Sequence, residues 1–134
     1  MRADSPPESV FALDLSGLQA ADVTVWSAWR GRDIAAVGAL RRLPDRSGEV
    51  KSMRTHPDWL RRGAAAAILE IIIAAARRQG LHRLSLETGS GPAFEPALAL
   101  YRKRGFANGP AFGTYRASAF NQFLHLDVRA EPRF

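Results

Sequence analysis

The chain predicts an α/β (α+β) fold: a central sheet, mixed but mostly antiparallel, flanked by helices. Three observations carry this expectation. Runs of β-branched and aromatic residues separated by turn clusters fill residues 23–55. A long segment from Ala64 has apolar residues at helical spacing. After it, an alternating stretch at residues 83–88 leads into a second helical segment. The resulting order, β-β-β-α-β-α-β, holds a β-α-β unit whose strands should pair in parallel through a right-handed crossover. The hairpins before it make the sheet mixed.

Taken in order, the opening residues contain Ser5-Pro6-Pro7-Glu8-Ser9, an irregular or turn-forming start in which Ser5 or Ser9 can cap a brief helix. Residues 23–29 form the first strand. The turn Arg30-Gly31-Arg32-Asp33 leads to a second strand over residues 34–40. The cluster Pro44-Asp45-Arg46-Ser47-Gly48 precedes a third strand, residues 49–55, which is unusually polar. That polarity suggests that one face meets a ligand or water, a half-exposed strand being the plainer alternative. In the first long helix, Ala65, Ile68, Leu69, Ile72 and Ala76 share a face. Arg77 and Arg78 suit its last turn and Gly80 its C′ position. The strand at 83–88 runs into the loop Gly89-Ser90-Gly91-Pro92. A second helix spans Phe94 or Glu95 to Arg104, Gly105 ends it, and a last strand spans residues 122–128. With no internal repeat or linker, 134 residues are expected to form a single domain.

Composition narrows the chemistry. The chain contains no cysteine, which removes disulfides, thiolate metal sites and a cysteine nucleophile. His56, His82 and His125 lie far apart without ligand spacing, so no metal site is expected. The longest apolar run, residues 64–76, is interrupted by Glu70 and is too short to span a bilayer. With no signal-peptide pattern either, a cytoplasmic location is the expectation. Nineteen Lys and Arg against thirteen Asp and Glu give a net charge of +6, a balance suited to an anionic ligand. A nucleic-acid surface would interleave aromatics with arginine on one face, a pattern absent here, so neither nucleic acid nor membrane is an expected partner.

The stretch Arg61-Arg62-Gly63-Ala64-Ala65-Ala66 stands out. A helix N-terminus presents free N–H groups and the positive end of the macrodipole, so two arginines there oppose the field. A bound anion would reverse that sign. Gly63 would allow close approach, the alanines are too small to shield the amides, and the arginines would add charge-assisted hydrogen bonds. The alternative is an alanine-rich helix whose arginines are simply solvated.

Two motifs turn this general anion site into a specific resemblance. Residues 48–57 followed by Leu60-Arg61-Arg62-Gly63-Ala64-Ala65 resemble the strand, Gln/Arg-x-x-Gly-x-Gly/Ala loop and helix of the GCN5-related N-acetyltransferase (GNAT) family. Ala97-x-x-Leu100-Tyr101-x-x-x-Gly105-Phe106 resembles the family's second signature, and residues 84–90 occupy the strand between the two. The resemblance covers about residues 23–128. It implies the acyl-CoA N-acyltransferase fold and direct transfer of acetyl from acetyl-coenzyme A to the amine of a small molecule or peptide. It departs from the family pattern at Leu60, where Gln or Arg is usual, and at Phe94, where an Asn often stands. The first strand of the family also has no counterpart in residues 1–21, which would leave a sheet edge open for pairing in a homodimer. A non-catalytic acyl-CoA-binding domain is the alternative function.

Carried over, the family pattern gives the backbones of Met53, Arg54 and Thr55 to the pantetheine arm. The amides of Arg61, Arg62, Gly63, Ala64, Ala65 and Ala66 would hold the pyrophosphate. Tyr101 would protonate the leaving thiolate. An amine with a solution pKa of about 10.4 must lose its proton before it attacks a thioester, so a base is required. Glu49 is the preferred candidate and Glu87 the second, a surface ion pair of Glu49 with Lys51 or an arginine being the bland alternative. The oxyanion donor is expected to be a backbone N–H near Met53, exposed by local splaying of the strand. Phe112-Gly113-Thr114-Tyr115 are expected to line the acceptor pocket, a packing role being the plainer alternative.

Overall fold

A computed structural model describes residues 22–59 and 63–129. The expectations for residues 1–21, for Leu60, and for Arg61 and Arg62 lie outside the described residues. Within them, β1 (Val23–Arg30), β2 (Asp33–Leu43) and β3 (Ser47–Thr55) form an antiparallel meander. Then follow α1 (Ala64–Arg78), β4 (Arg83–Thr88), α2 (Glu95–Arg104), β5 (Ala107–Asn108) and β6 (Gln122–Asp127), with single 3₁₀ turns at Pro57–Trp59 and Pro92–Phe94. The six described strands form one sheet in the order β1-β2-β3-β4-β6-β5. The β3–β4 pair is parallel across α1, as the β-α-β reading requires, and the other pairs are antiparallel. The expected elements are all present. The hairpin strands run longer than expected, and the two-residue β5 is an addition that no periodicity could mark.

The turn chemistry explains the meander. Gly31 takes a positive φ of 59° between β1 and β2. The β2–β3 turn places Asp45 (φ 63°) and Arg46 (φ 56°) both in the left-handed region, closed by the Ser47 N–H donating to the Pro44 carbonyl at 3.3 Å. Two successive positive φ values give a turn whose twist matches that of the strands it joins. Beyond it, Gly48 lets three strands and the helix-side core approach: a Cβ there would lie 2.8 Å from Leu40 and 2.9 Å from Leu81.

The core lies on the helix side of the sheet. Ile68, Leu69, Ile72, Ile73, Ala75 and Ala76 of α1 are buried against Ala36, Leu40, Val50, Leu84, Leu86 and Leu124. Ala65, expected on that face, is only half-buried, because it lies in the first turn at the rim of the sheet. Leu98 and Tyr101 of α2 join the same cluster, and Arg104 pairs with Glu70 to tie the helices together. Strand alternation then sends Glu49, Ser85, Glu87, Phe123 and His125 to the opposite face. There the connection from Gly109 to Asn121 covers them: Phe112 packs edge-on against Phe123 and His125, both at 5.9 Å between centroids.

Candidate active site

The sheet opens where β3 and β4 part. They pair only at Ser47–Arg83, Gly48–Leu84 and Glu49–Ser85, although β3 continues to Thr55 and β4 to Thr88. The cause lies in β3. Between the partners of Val37 and Ala39 it has two residues, Ser52 and Met53, against the single Gly38 of β2, a bulge in which Ser52 adopts a left-handed φ of 57°. The extra residue reverses the side-chain alternation, so Val50 and Met53 both face the helices; a Cβ on Gly38 would lie 2.5 Å from the Met53 sulfur. The added twist turns residues 50–55 away from β4. Met53, Arg54 and Thr55 therefore lie on a stretch of strand that β4 does not pair.

The N-terminus of α1 follows at the end of that strand. Gly63 starts the helix with φ 86°, and its carbonyl accepts the first helical hydrogen bond from the Ala67 N–H at 2.9 Å. No side chain caps the helix, and its first turn holds no acidic residue. The amides of Ala64, Ala65 and Ala66 precede that first bond, so helix geometry gives them no intrahelical acceptor. Among the described residues a Cβ on Gly63 would meet no atom within 4 Å.

Tyr101 is buried at 6% exposure, in the helix-side core. Its position follows from the end of α2. The Gly105 N–H donates to the Arg102 carbonyl and the Phe106 N–H to the Tyr101 carbonyl, both at 3.0 Å, while Gly105 takes a left-handed φ of 112°. This is a Schellman ending, in which the third residue from the end packs on the second one beyond it. Here those residues are Tyr101 and Phe106, whose rings meet edge-on at 5.7 Å. The spacing in Tyr101-x-x-x-Gly105-Phe106 is thus the spacing of the helix ending itself. Burial pushes the Tyr101 phenol up to about 12.

On the far face Glu49 is 3% exposed. It is no surface ion pair with Lys51 or an arginine: its partner is Tyr115, whose hydroxyl donates to Oε2. Burial and this hydrogen bond to a carboxylate push the Tyr115 phenol well above its usual range. Glu87 accepts a 2.8 Å hydrogen bond from Asn121 Nδ2. Beside Glu49, buried Ser85 lies 2.7 Å from Nδ1 of His125, whose Nε2 lies 2.8 Å from the Pro110 carbonyl. A carbonyl can only accept, so the neutral imidazole carries its proton on Nε2 and takes the serine proton at Nδ1. Phe94, at the other end of β4, packs edge-on against Phe120 at 5.5 Å.

The structure thus puts Glu49 and Glu87 on one face of the sheet and Tyr101 on the other, while residues 50–55 of β3 are left without a partner in β4. Sequence reasoning named Tyr115 with the acceptor pocket but not as a partner of Glu49, and it did not find Asn121, Ser85 and His125. They come from the late loop and the last strand, and no local pattern links them to Glu49 or Glu87. Among the described residues no His, Asp or Glu cluster can hold a metal, and no helix is long and apolar enough to cross a membrane.

Known proteins resemble the chain in sequence and in fold. The acetyltransferase (GNAT) family model matches residues 2–106. An uncharacterized N-acetyltransferase of Escherichia coli, YedL, is 48% identical over 128 residues, 96% of this chain and 80% of that protein. Another from Bacillus subtilis, YsnE, is 50% identical over 120 residues, 90% and 80% of the respective chains. In fold, the chain resembles a Bacillus subtilis acetyltransferase solved in complex with CoA, with a TM-score of 0.67, 18% identity and coverage of 92% and 85%. The chain therefore belongs to the acetyltransferase (GNAT) family, whose members use acetyl-CoA, and it is an N-acetyltransferase.

Proposed function

We propose that the chain binds acetyl-CoA in the opening between β3 and β4 and passes its acetyl group to the amine of a small molecule or peptide by direct attack in a ternary complex. The observation that carries this reading is the parting of the two strands after Glu49 and Ser85. A strand edge released from β4 suits an extended, amide-bearing ligand, which would add to β3 at Met53, Arg54 and Thr55 as a further strand. The uncapped α1 terminus lies where the pyrophosphate of such a ligand would fall. Gly63, Ala64, Ala65 and Ala66, with Arg61 and Arg62, would hold it.

In this reading Glu49 takes the proton of the acceptor amine, directly or through one water. The neutral amine attacks the thioester carbonyl, a backbone N–H near Met53 stabilises the oxyanion, and the C–S bond breaks. Tyr101 then donates its proton to the departing thiolate, and the second proton, lost by the nitrogen as the amide forms, returns the phenolate to its neutral form through water. The burial that raises the Tyr101 phenol also raises the proton affinity of a thiolate in the same dry site, because both anions lose water. The two groups sit on opposite faces, so cofactor and acceptor would meet through the window between the strands. No step needs a metal. A cytoplasmic location and pairing of two copies along β1, which exposes Val25 and Trp29, belong to the same reading.

Acetyl-CoA should raise the thermal midpoint of the protein, and thiol release should follow with a member of a panel of amino acids, polyamines, arylalkylamines and lysine peptides. Gly63→Glu finds open space for its side chain but strains a backbone at φ 86°, so its own thermal midpoint without ligand is the reference. The acetyl-CoA shift should be lost because the carboxylate opposes the pyrophosphate. No stabilisation of the parent protein by acetyl-CoA would sink the reading. Stabilisation without thiol release to any amine would point to the non-catalytic alternative.

A further inference from the structure

Glu49 carries a charge-bearing group at 3% exposure, and among the described residues one side chain serves it. Taking a carboxylate out of water is costly unless it is hydrogen-bonded. The donor comes from the far end of the chain, 66 residues on in the sequence. Tyr115 is held by more than that one bond. Its ring packs against Phe112 at 5.2 Å and Phe123 at 6.2 Å, and its N–H donates to the Phe112 carbonyl at 3.2 Å. Both ends of its loop are fastened to the same sheet face. At the start, the Gly109 N–H donates to the Phe123 carbonyl at 2.9 Å and Pro110 receives the His125 proton. The His125 ring leaves room for nothing larger than glycine at 109, where a Cβ would lie 2.6 Å away. At the end, Asn121 bridges Glu87 and the Arg116 carbonyl at 2.8 and 2.9 Å.

This bracing fixes a single geometry: the phenol engages Oε2 of Glu49, and Oε1 has no hydrogen bond among the described residues. We propose that Tyr115 is the positioning residue for Glu49, locking one carboxylate oxygen so that the other faces the acceptor amine. The inference rests on the reading of Glu49 as the base. The amine proton would pass to Oε1, while Tyr115 keeps its own proton and remains a donor throughout. Burial, together with the carboxylate beside it, holds this phenol well above its usual range, so it stays protonated and remains a donor to Glu49.

Tyr115→Phe keeps the ring and its packing and removes only the donor. With acetyl-CoA and the fastest amine of the panel, kcat should fall about tenfold while KM for acetyl-CoA stays the same. The decisive measurement is the same substitution in a Glu49→Gln background, where it should change kcat less than about twofold, because its effect runs through Glu49. Unchanged kcat in Tyr115→Phe, or an equal loss in both backgrounds, would overturn the positioning role while leaving Glu49 as the base. Full activity in Glu49→Gln would overturn the base assignment itself, and the positioning role with it. Thermal midpoints of all three variants, measured alongside, separate loss of fold from loss of rate.

Discussion

Tyr101 places a hydroxyl in an apolar cluster, and no described residue hydrogen-bonds it. An unsatisfied buried hydroxyl costs about 1–3 kcal/mol, so keeping one is unfavourable to the fold alone. The cost is explained if the partner arrives with the ligand, as the sulfur of a thioester would. The two possibilities separate in one variant. Tyr101→Phe retains the ring contact with Phe106 and removes the hydroxyl. Its stability in urea should be unchanged or higher by about 1 kcal/mol. Turnover should fall by roughly 10²-fold, the lower range for loss of a general acid, with the acetyl-CoA Kd from calorimetry held within about twofold. A tyrosine serving only the core through its ring would show the same stability and normal turnover, so turnover is the reading that decides. Normal turnover alone is enough to remove Tyr101 as the acid.

The ending of α2 shows how an element fixes such a residue, and why it could be read in advance. Tyr101, Gly105 and Phe106 are bound into one local hydrogen-bonding pattern, so their spacing is visible in the sequence. Gly105→Ala should test the link. Its φ of 112° disfavours any Cβ, and that Cβ would press on Leu126 at 3.3 Å. A loss of about 1–2 kcal/mol in urea is expected, together with a drop in kcat as the Tyr101–Phe106 contact shifts. Full kcat with the stability lost would show that the ending does not position the ring. Gly80 ends α1 in the same way, with the Leu81 N–H donating to the Ala76 carbonyl at 3.0 Å, and it was as readable. The bulge in β3 was not. It turns on Ser52 at a positive φ, and serine carries no marker for that conformation as glycine would. The polarity of β3 was visible but its meaning was open: residues 47–50 are buried, Val50 against the helix-side core and Glu49 against Tyr115 of the late loop. The loop at 109–121 has no periodicity, and its bonds to Glu49 and Glu87 span 66 and 34 residues. Only the folded sheet, which puts Glu49 of β3 and Ser85 and Glu87 of β4 on the loop's face, brings those partners together.

Across the whole molecule the sheet separates two environments, an apolar side with Tyr101 and a polar side with Glu49 beneath Tyr115. Both tyrosines are held neutral, Tyr101 by burial and Tyr115 by burial together with Glu49. They are the two tyrosines of the chain, cysteine is absent, and Lys51 and Lys103 are its lysines, the rest of the positive side-chain charge being arginine and histidine. Few groups therefore titrate between about pH 9 and 12, and alkaline behaviour becomes a test of the architecture. In the unfolded chain a phenol ionises near 10, whereas folded Tyr101 is pushed up to about 12. Above pH 10 the unfolded state thus binds fewer protons than the folded one, and stability falls as pH rises. The contribution is fully present below about pH 10 and is lost by about pH 12, up to roughly 3 kcal/mol for Tyr101. Tyr115 adds a loss of the same sign. Urea unfolding followed from pH 8 to 12 should give a midpoint flat to about pH 10 and falling beyond it. The tyrosinate absorbance of the folded protein should stay low over the range in which free tyrosine ionises. Tyr101→Phe should remove most of its share of the slope and leave the Tyr115 share. If the variant and the parent lose stability in parallel, Tyr101 ionises as readily folded as unfolded, and its hydroxyl must face water.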